Sequence, residues 1–159
     1  MKEKLFIDAD VILDVVFKRE PHFSDSQKFL SLVEKNYFYG YTSSLIIANC
    51  YYIISSNKDK KTALKTISKL RAIINILPFT DKEIGESLNS DIRDFEDGIQ
   101  CFIYLNNNIN NLITRNISDY KNIDINVLTP KDFLNLDKTK KIIEALRNCT
   151  KNRETRDGI

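Results

Sequence analysis

Short apolar or aromatic runs alternate along this chain with longer stretches of helical spacing, and no other feature restricts its fold as much. Leu5, Phe6 and Ile7 make a continuous apolar run that ends at Asp8, and Val11, Ile12, Val15 and Val16 then recur at helical intervals. This reads as a buried strand feeding a helix. In "EPHFSDSQKFLSLVEKN", Ser24 and Gln27 have capping-box spacing ahead of Phe29, Leu30, Leu32 and Val33, which predicts a second helix. "YFYGYT" has strand character, with Tyr37, Tyr39 and Tyr41 on one face. "SSLIIANCYYIISS" reads as a helix capped by Ser43 or Ser44, with Tyr51 and Tyr52 used in packing. Residues 59–75 form an amphipathic helix whose apolar face includes Leu64, Ile67, Leu70, Ile73 and Ile74.

Thr80 then caps a short helix through Ser87, and another runs from about Phe95 to Asn106, followed by the Asn-rich loop "NNNINN". "NNLIT" and "INVLTP" read as two short strands, the second leading through Pro130 into "KDFLNL". Parallel strands need long crossovers, so this order predicts a three-layer α/β/α sandwich with a mostly parallel central sheet. The 159 residues suffice for one domain with a sizeable core and are too few for two.

A net charge of +2 neither requires nor excludes a polyanionic partner. Its distribution is uneven: residues 137–159 hold seven Lys/Arg against four Asp/Glu, leaving a body close to neutral. Cys50, Cys101 and Cys149 have no metal-ligand spacing, which points to reduced thiols in a cytoplasmic protein. No apolar run is long enough to span a membrane, and charge interrupts the N-terminal stretch too early for a signal peptide.

The acids mark the candidate site. Asp8 and Asp10 follow the first strand, Asp97 lies in the first turns of a helix, and Asp119 follows the strand "NLIT". In an open parallel sheet the carboxyl ends of the strands share one edge, so acids remote in sequence meet there. Two unit charges ~4 Å apart repel by about 4 kcal/mol at an effective protein dielectric. Clustered carboxylates therefore need a cation, a shared proton or basic neighbours, and hard oxygen donors without a Cys/His cluster suit Mg²⁺ or Mn²⁺. Each acid also has a plainer reading. Asp94, Glu96 and Asp97 suit a helix N-terminus, with Asp94 as its N-cap and Asp91 solvated, and Asp8 and Asp119 could cap or shape a turn. His22 sits in a turn and is better read as loop packing than as a base. Arg115 is either a surface charge or a clamp on a phosphate, with the clamp favoured.

Four pieces, "FIDADVILDVVFKREP", "GYTSSLIIANCYYI", "DFEDGIQ" and "LITRNISDY", followed by "VLTPKDFL", resemble in order the PIN-domain ribonucleases, which include the VapC toxins of bacterial toxin–antitoxin pairs. The resemblance covers residues 4 to about 134 and makes 1–136 a PIN-like nuclease domain, with 137–159 a basic helix or tail. It implies a Mg²⁺- or Mn²⁺-dependent endoribonuclease with Asp8, Asp97 and Asp119 as its catalytic and metal-holding acids. Thr114 and Asn116 give polar support, and Asp10, Glu96 and Asn49 are further candidate ligands. It also implies an RNA substrate, an antitoxin partner and a homodimer. Asn49 stands where the family carries a glutamate, and Asp10 where it often has asparagine. A catalytically weak PIN-like module that binds RNA or protein is the alternative this substitution raises. A second alternative, a haloacid-dehalogenase-like phosphatase, is suggested by "DAD" after an apolar strand. That family follows its aspartates with Gly-Thr, where this chain has Val11-Ile12, and its lysine and Ser/Thr motifs have no counterpart that can be placed here.

Overall fold

The computed structural model describes residues 2–121 and 123–154. The elements run β1 (Lys4–Ile7), α1 (Ala9–Phe17), α2 (Phe23–Glu34), β2 (Tyr39–Ser43), α3 (Ser44–Asn57), α4 (Lys60–Ile73), β3 (Ile74–Leu77), α5 (Asp81–Leu88), α6 (Phe95–Asn106), β4 (Asn111–Ile113), β5 (Val127–Leu128), α7 (Pro130–Asn135) and α8 (Asp137–Glu154). A 3-10 turn, Ile117–Tyr120, lies between β4 and β5. The five strands form one sheet in the order β3-β2-β1-β4-β5, parallel throughout, with helices on both faces as the alternation predicts.

Local chemistry sets most helix starts. The side chains of Asp8, Ser43, Asp59, Thr80, Asp94 and Thr129 each accept a backbone N–H at the start of a helix, and Thr80 and Glu83 complete a capping box. The box expected from Ser24 and Gln27 does not form. The chain is already wound at His22, and the N–H groups of His22 and Phe23 both donate to the Arg19 carbonyl, so Ser24 falls inside the first turn.

The 59–75 helix also ends earlier than its periodicity suggests. Ile74 is extended, with φ −125° and ψ 135°, and passes directly into β3, where Gly40 through Ser43 pair with Ile74 through Leu77. Sheet pairing overrides the helical pattern here, because a β-branched residue at the end of an apolar helix face serves a strand equally well. Tyr52 is 71% exposed and so takes no part in packing, whereas Tyr51 packs against the core. Of the tyrosines read as one strand face, Tyr37 precedes β2, and Tyr39 and Tyr41 lie within it.

Leu5, Phe6 and Ile7 form the centre of the core with Val11, Ile12, Leu112 and Ile113. At one end Phe133 of α7 meets Phe29 of α2 and Phe38 edge-on, with centroids 5.5 and 5.0 Å away. Ile142, Ile143 and Leu146 of α8 pack against the same core. Cys50 and Cys101 are buried free thiols; the side chain of Cys149 and the final five residues of the basic segment lie outside the described residues. Among the described residues no helix is long and apolar enough to cross a membrane.

Gly98 of α6, next to Asp97, lies against Ser87 of α5: a Cβ there would lie 2.2 Å from the hydroxyl and 3.2 Å from the Cβ of Ser87. The Ser87 hydroxyl is buried and donates to the Phe95 carbonyl, so it cannot swing away freely. Gly98→Ala is expected to cost about 1–3 kcal/mol by overpacking, read as a lowered midpoint in urea, and to shift Asp97 with the helix.

Candidate acidic site at the sheet edge

The chain leaves β1 to one side through β2 and β3, then returns to the other through β4 and β5, so the carboxyl ends of β1 and β4 flank the switch point where ligands settle in parallel sheets. Ile7 pairs with Ile113, and the Asp8 N–H donates to the Ile113 carbonyl at 3.0 Å. This register sets Asp8 beside Thr114. One Asp8 oxygen accepts the Ala9 N–H at 2.6 Å and the other the Thr114 hydroxyl at 2.8 Å. Thr114 is fully buried, lies within 3.3 Å of Asp10 Oδ2, and accepts the Asn116 N–H at 3.1 Å. A single hydroxyl thus ties together the ends of two strands.

Asp97 comes from α6. Asp94 caps that helix by accepting the N–H groups of Glu96 and Asp97, which leaves the Asp97 carboxylate free of the capping task. Asp119, on the 3-10 turn after β4, is exposed. The three acids act on one another. Burial raises the Asp8 carboxyl above the usual range, opposed by the hydrogen bonds from Thr114 and Ala9 and reinforced by the charges of Asp97 and Asp119. Burial, then Asp94, Asp119 and Glu96, push Asp97 up to about 6. The Tyr120 hydroxyl is buried beneath the same group, and burial first, then Asp8, Asp97 and Asp10, raise it.

Asp8, Asp97 and Asp119, from three distant segments, therefore share one electrostatic environment. Asp91, by contrast, is exposed. Among the described residues no three His, Cys, Asp or Glu side chains are drawn together closely enough to enclose an ion. The donors are nonetheless all oxygen, they repel one another, and Asp10 Oδ1 is buried with no hydrogen-bond partner. Such a set suits a hard divalent ion that keeps several waters rather than one caged by protein alone.

Asn49 reaches the site from α3, and its side-chain N–H donates to the Glu96 carboxylate. The remaining supports were only partly legible in sequence. Asp14, one helical turn beyond Asp10, is 1% exposed and accepts the Arg115 guanidinium at 2.9 Å. Arg115 also donates its backbone N–H to Asp10 at 2.8 Å, and its Nε lies 3.9 Å from the same oxygen. Burial and then Asp8 push Asp10 up to about 6, against the pull of Arg115. Arg115, read from sequence as a phosphate clamp, is ion-paired here with Asp10 and Asp14 while its side chain stays 30% exposed. Sequence reasoning misses Asp14, although its i, i+4 spacing from Asp10 on an otherwise apolar helix is a usable signal. His22 stands at the start of α2, away from these groups.

Arg115→Met would leave Asp10 and Asp14 buried without a cation. A loss of about 2–3 kcal/mol is expected, below the ~3–5 of a fully buried pair because the Arg115 side chain is 30% exposed. Urea denaturation measures it, and a variant as stable as the parent would show that the pair contributes nothing.

The fold and this site define a class: a three-layer α/β/α domain with carboxylates gathered at the switch point of a parallel sheet. The chain belongs to the PIN-domain family, whose model matches residues 4–118. It is 31% identical over 136 residues to Ribonuclease VapC1 of Aquifex aeolicus, covering 82% of this chain and 93% of that one. Its fold is similar to that in the crystal structure of VapBC2 from Rickettsia felis bound to a DNA fragment from its promoter, with TM-score 0.62 and 17% identity, covering 79% of this chain and 98% of that one. It is also similar to a toxin-antitoxin complex from Klebsiella pneumoniae, with TM-score 0.60 and 17% identity over 79% and 97% of the two chains. Family membership leaves the haloacid-dehalogenase-like alternative without support.

Proposed function

We propose that this chain is an endoribonuclease of the toxin type, acting as a homodimer in the cytoplasm and held inactive by a cognate antitoxin. What supports the reading is the electrostatic coupling of the three acids: the charges of Asp97 and Asp119 both raise the Asp8 carboxyl, and that of Asp119 raises Asp97. The similarity to Ribonuclease VapC1 and to structures of toxin–antitoxin complexes supports the nuclease and antitoxin parts of it.

Asp8, Asp97 and Asp119 would hold Mg²⁺ or Mn²⁺. When bound, such an ion supplies positive charge at the scissile phosphate and lowers the pKa of water. Thr114 fixes the rotamer of Asp8 by its hydrogen bond, and Asn116 braces the Thr114 hydroxyl through its backbone N–H. Arg115 acts on the site indirectly, by offsetting the charge of Asp10 and Asp14. Asn49 holds the Glu96 carboxylate beside Asp97, so Glu96 returns the negative charge that a glutamate at position 49 would bring.

The test is cleavage of a labelled single-stranded RNA by purified protein with Mn²⁺ or Mg²⁺ and with EDTA. Metal-dependent products are expected; equal cleavage in EDTA would sink the mechanism. The second reading, a weak PIN module that binds RNA or protein, draws on Asn49. It is favoured if calorimetry finds no Mn²⁺ site tighter than millimolar and no RNA is cut.

The titrations give a pH dependence. Protons compete for Asp97, so cleavage at a fixed, subsaturating Mn²⁺ concentration is expected to fall as pH drops through about 6. Raising the Mn²⁺ concentration should move the midpoint to lower pH. A midpoint insensitive to metal would separate the titrating group from the metal site.

A further inference from the structure

Helix α4 carries a row of cations that nothing in the fold requires. Lys61, Lys65 and Lys69 are all exposed and recur every fourth residue, so they project side by side about 6 Å apart along the outward face. Lys60 and Arg71 flank them, also exposed, and α4 contains no Asp or Glu. None of the ion pairs among the described residues involves any of these five cations. Glu34 lines the groove beside Lys69 without pairing with it. The arrangement works against the helix itself: like charges at i, i+4 repel, and Lys60 and Lys61 sit at the positive end of the helix dipole, where only the capping Asp59 offsets them.

We propose that this face of α4 is a binding surface for the phosphate backbone of single-stranded RNA, separate from the acidic cluster. The proposal rests on the ribonuclease reading for its ligand and explains what that reading leaves open. Without a bound ion, an edge lined by Asp8, Asp97, Asp119 and Glu96 repels a polyanion, and a bound ion attracts only the phosphate it touches, so cations elsewhere would supply attraction along the rest of the strand. Lys58 is unsuited, since its ammonium donates to the Val16 carbonyl and lies over the Phe17 ring. Ser68 and Ala72, also exposed on α4, are small and leave room for a strand to approach. Binding to phosphates in this way carries no base specificity; it adds affinity that salt removes. Leu64, 55% exposed between Lys61 and Lys65, is the apolar side chain an acidic protein partner would use, so an acidic polypeptide is the competing ligand in the test.

The experiment measures fluorescence anisotropy of a labelled single-stranded RNA 20-mer in EDTA across a salt series. It compares the full chain, the triple variant K61Q/K65Q/K69Q, and a control, K28Q/K35Q/K131Q, that neutralises three exposed lysines on α2, the turn after it and α7. The α4 variant is expected to bind at least tenfold more weakly at low salt and to lower the slope of log affinity against log salt by about 2, at ~0.7 for each phosphate that a lysine neutralises in the parent. The control should match the parent. Circular dichroism should show that both variants fold.

No measurable binding by the parent, an unchanged slope in the α4 variant, or an equal weakening in the control would each overturn the proposal. So would unchanged RNA binding together with abolished binding of an acidic polypeptide, which would assign the row to a protein partner. The two readings fail separately. Salt-sensitive binding through α4 without metal-dependent cleavage would remove the nuclease and leave the surface. Cleavage with an unchanged KM in the α4 variant would do the reverse.

Discussion

Asp97→Asn is expected to reduce RNA cleavage by about 10³-fold or more while the fold persists, the scale seen when one preorganised electrostatic group is removed from an active site. The residue is unusual among the acids at the start of α6. Asp94 is spent on capping, and Asp91 is exposed to solvent, so Asp91→Asn should cleave as the parent does. Asp97 alone of these faces Asp8 and Asp119, and the amide that replaces it takes away an anion while keeping nearly the same shape.

The same substitution should also leave a signature in stability. In the folded chain the Asp97 carboxyl is pushed up to about 6, well above its unfolded value, so the folded state binds a proton that the unfolded state has released between pH 4 and 6. Stability of the metal-free parent therefore falls as pH rises through that window, and above it the ionised Asp97 is a net cost. Asp97→Asn lacks the cost. Allowing for partial solvent screening, it should gain ~1 kcal/mol at pH 7, or about 2–4 °C in Tm for a chain of this size. Adding Mn²⁺ should then raise the Tm of the parent and leave the variant nearly unmoved. A variant that still cuts RNA at the parental rate, or that gains as much from Mn²⁺, would take Asp97 out of the site.

Phe133→Ala is expected to destabilise by about 3–5 kcal/mol, a large share of the ~5–15 that holds a typical domain together. Phe133 is fully buried and stacks edge-on against both Phe29 and Phe38, so its removal opens a cavity that three separate elements would have to collapse to fill. It lies beyond the residues that the family model matches, on the short helix α7 that begins at Pro130 and is capped by Thr129. The loss would show that the region after the acidic cluster is part of the folding unit rather than an appendage. Chemical denaturation measures it, and a cost below ~1 kcal/mol would mean that α7 docks only loosely on α2.

Much of the architecture could be read from local pattern. The apolar run ending at Asp8, the Thr80 and Asp94 caps and the Phe95–Asn106 helix follow from rules that act within a few residues. Where two local rules competed, the sequence could not choose. Ile74 continues an apolar helix face and also suits a strand, and only pairing with β2 made it the start of β3. Ser24 had a capping partner at the right distance, but the turn at Arg19 had already started the helix.

The residues beneath the site were harder still. Arg115 carries a charge suited to a phosphate, yet Asp14 lies 101 positions away and is brought to it only when β1 and β4 pair. Periodicity and capping by themselves determined the α/β alternation, because those forces act along the chain. Strand order, register and the neighbours of each buried charge were decided by tertiary structure, since a carboxylate in a low-dielectric interior responds to whatever is nearest in space, however distant in sequence.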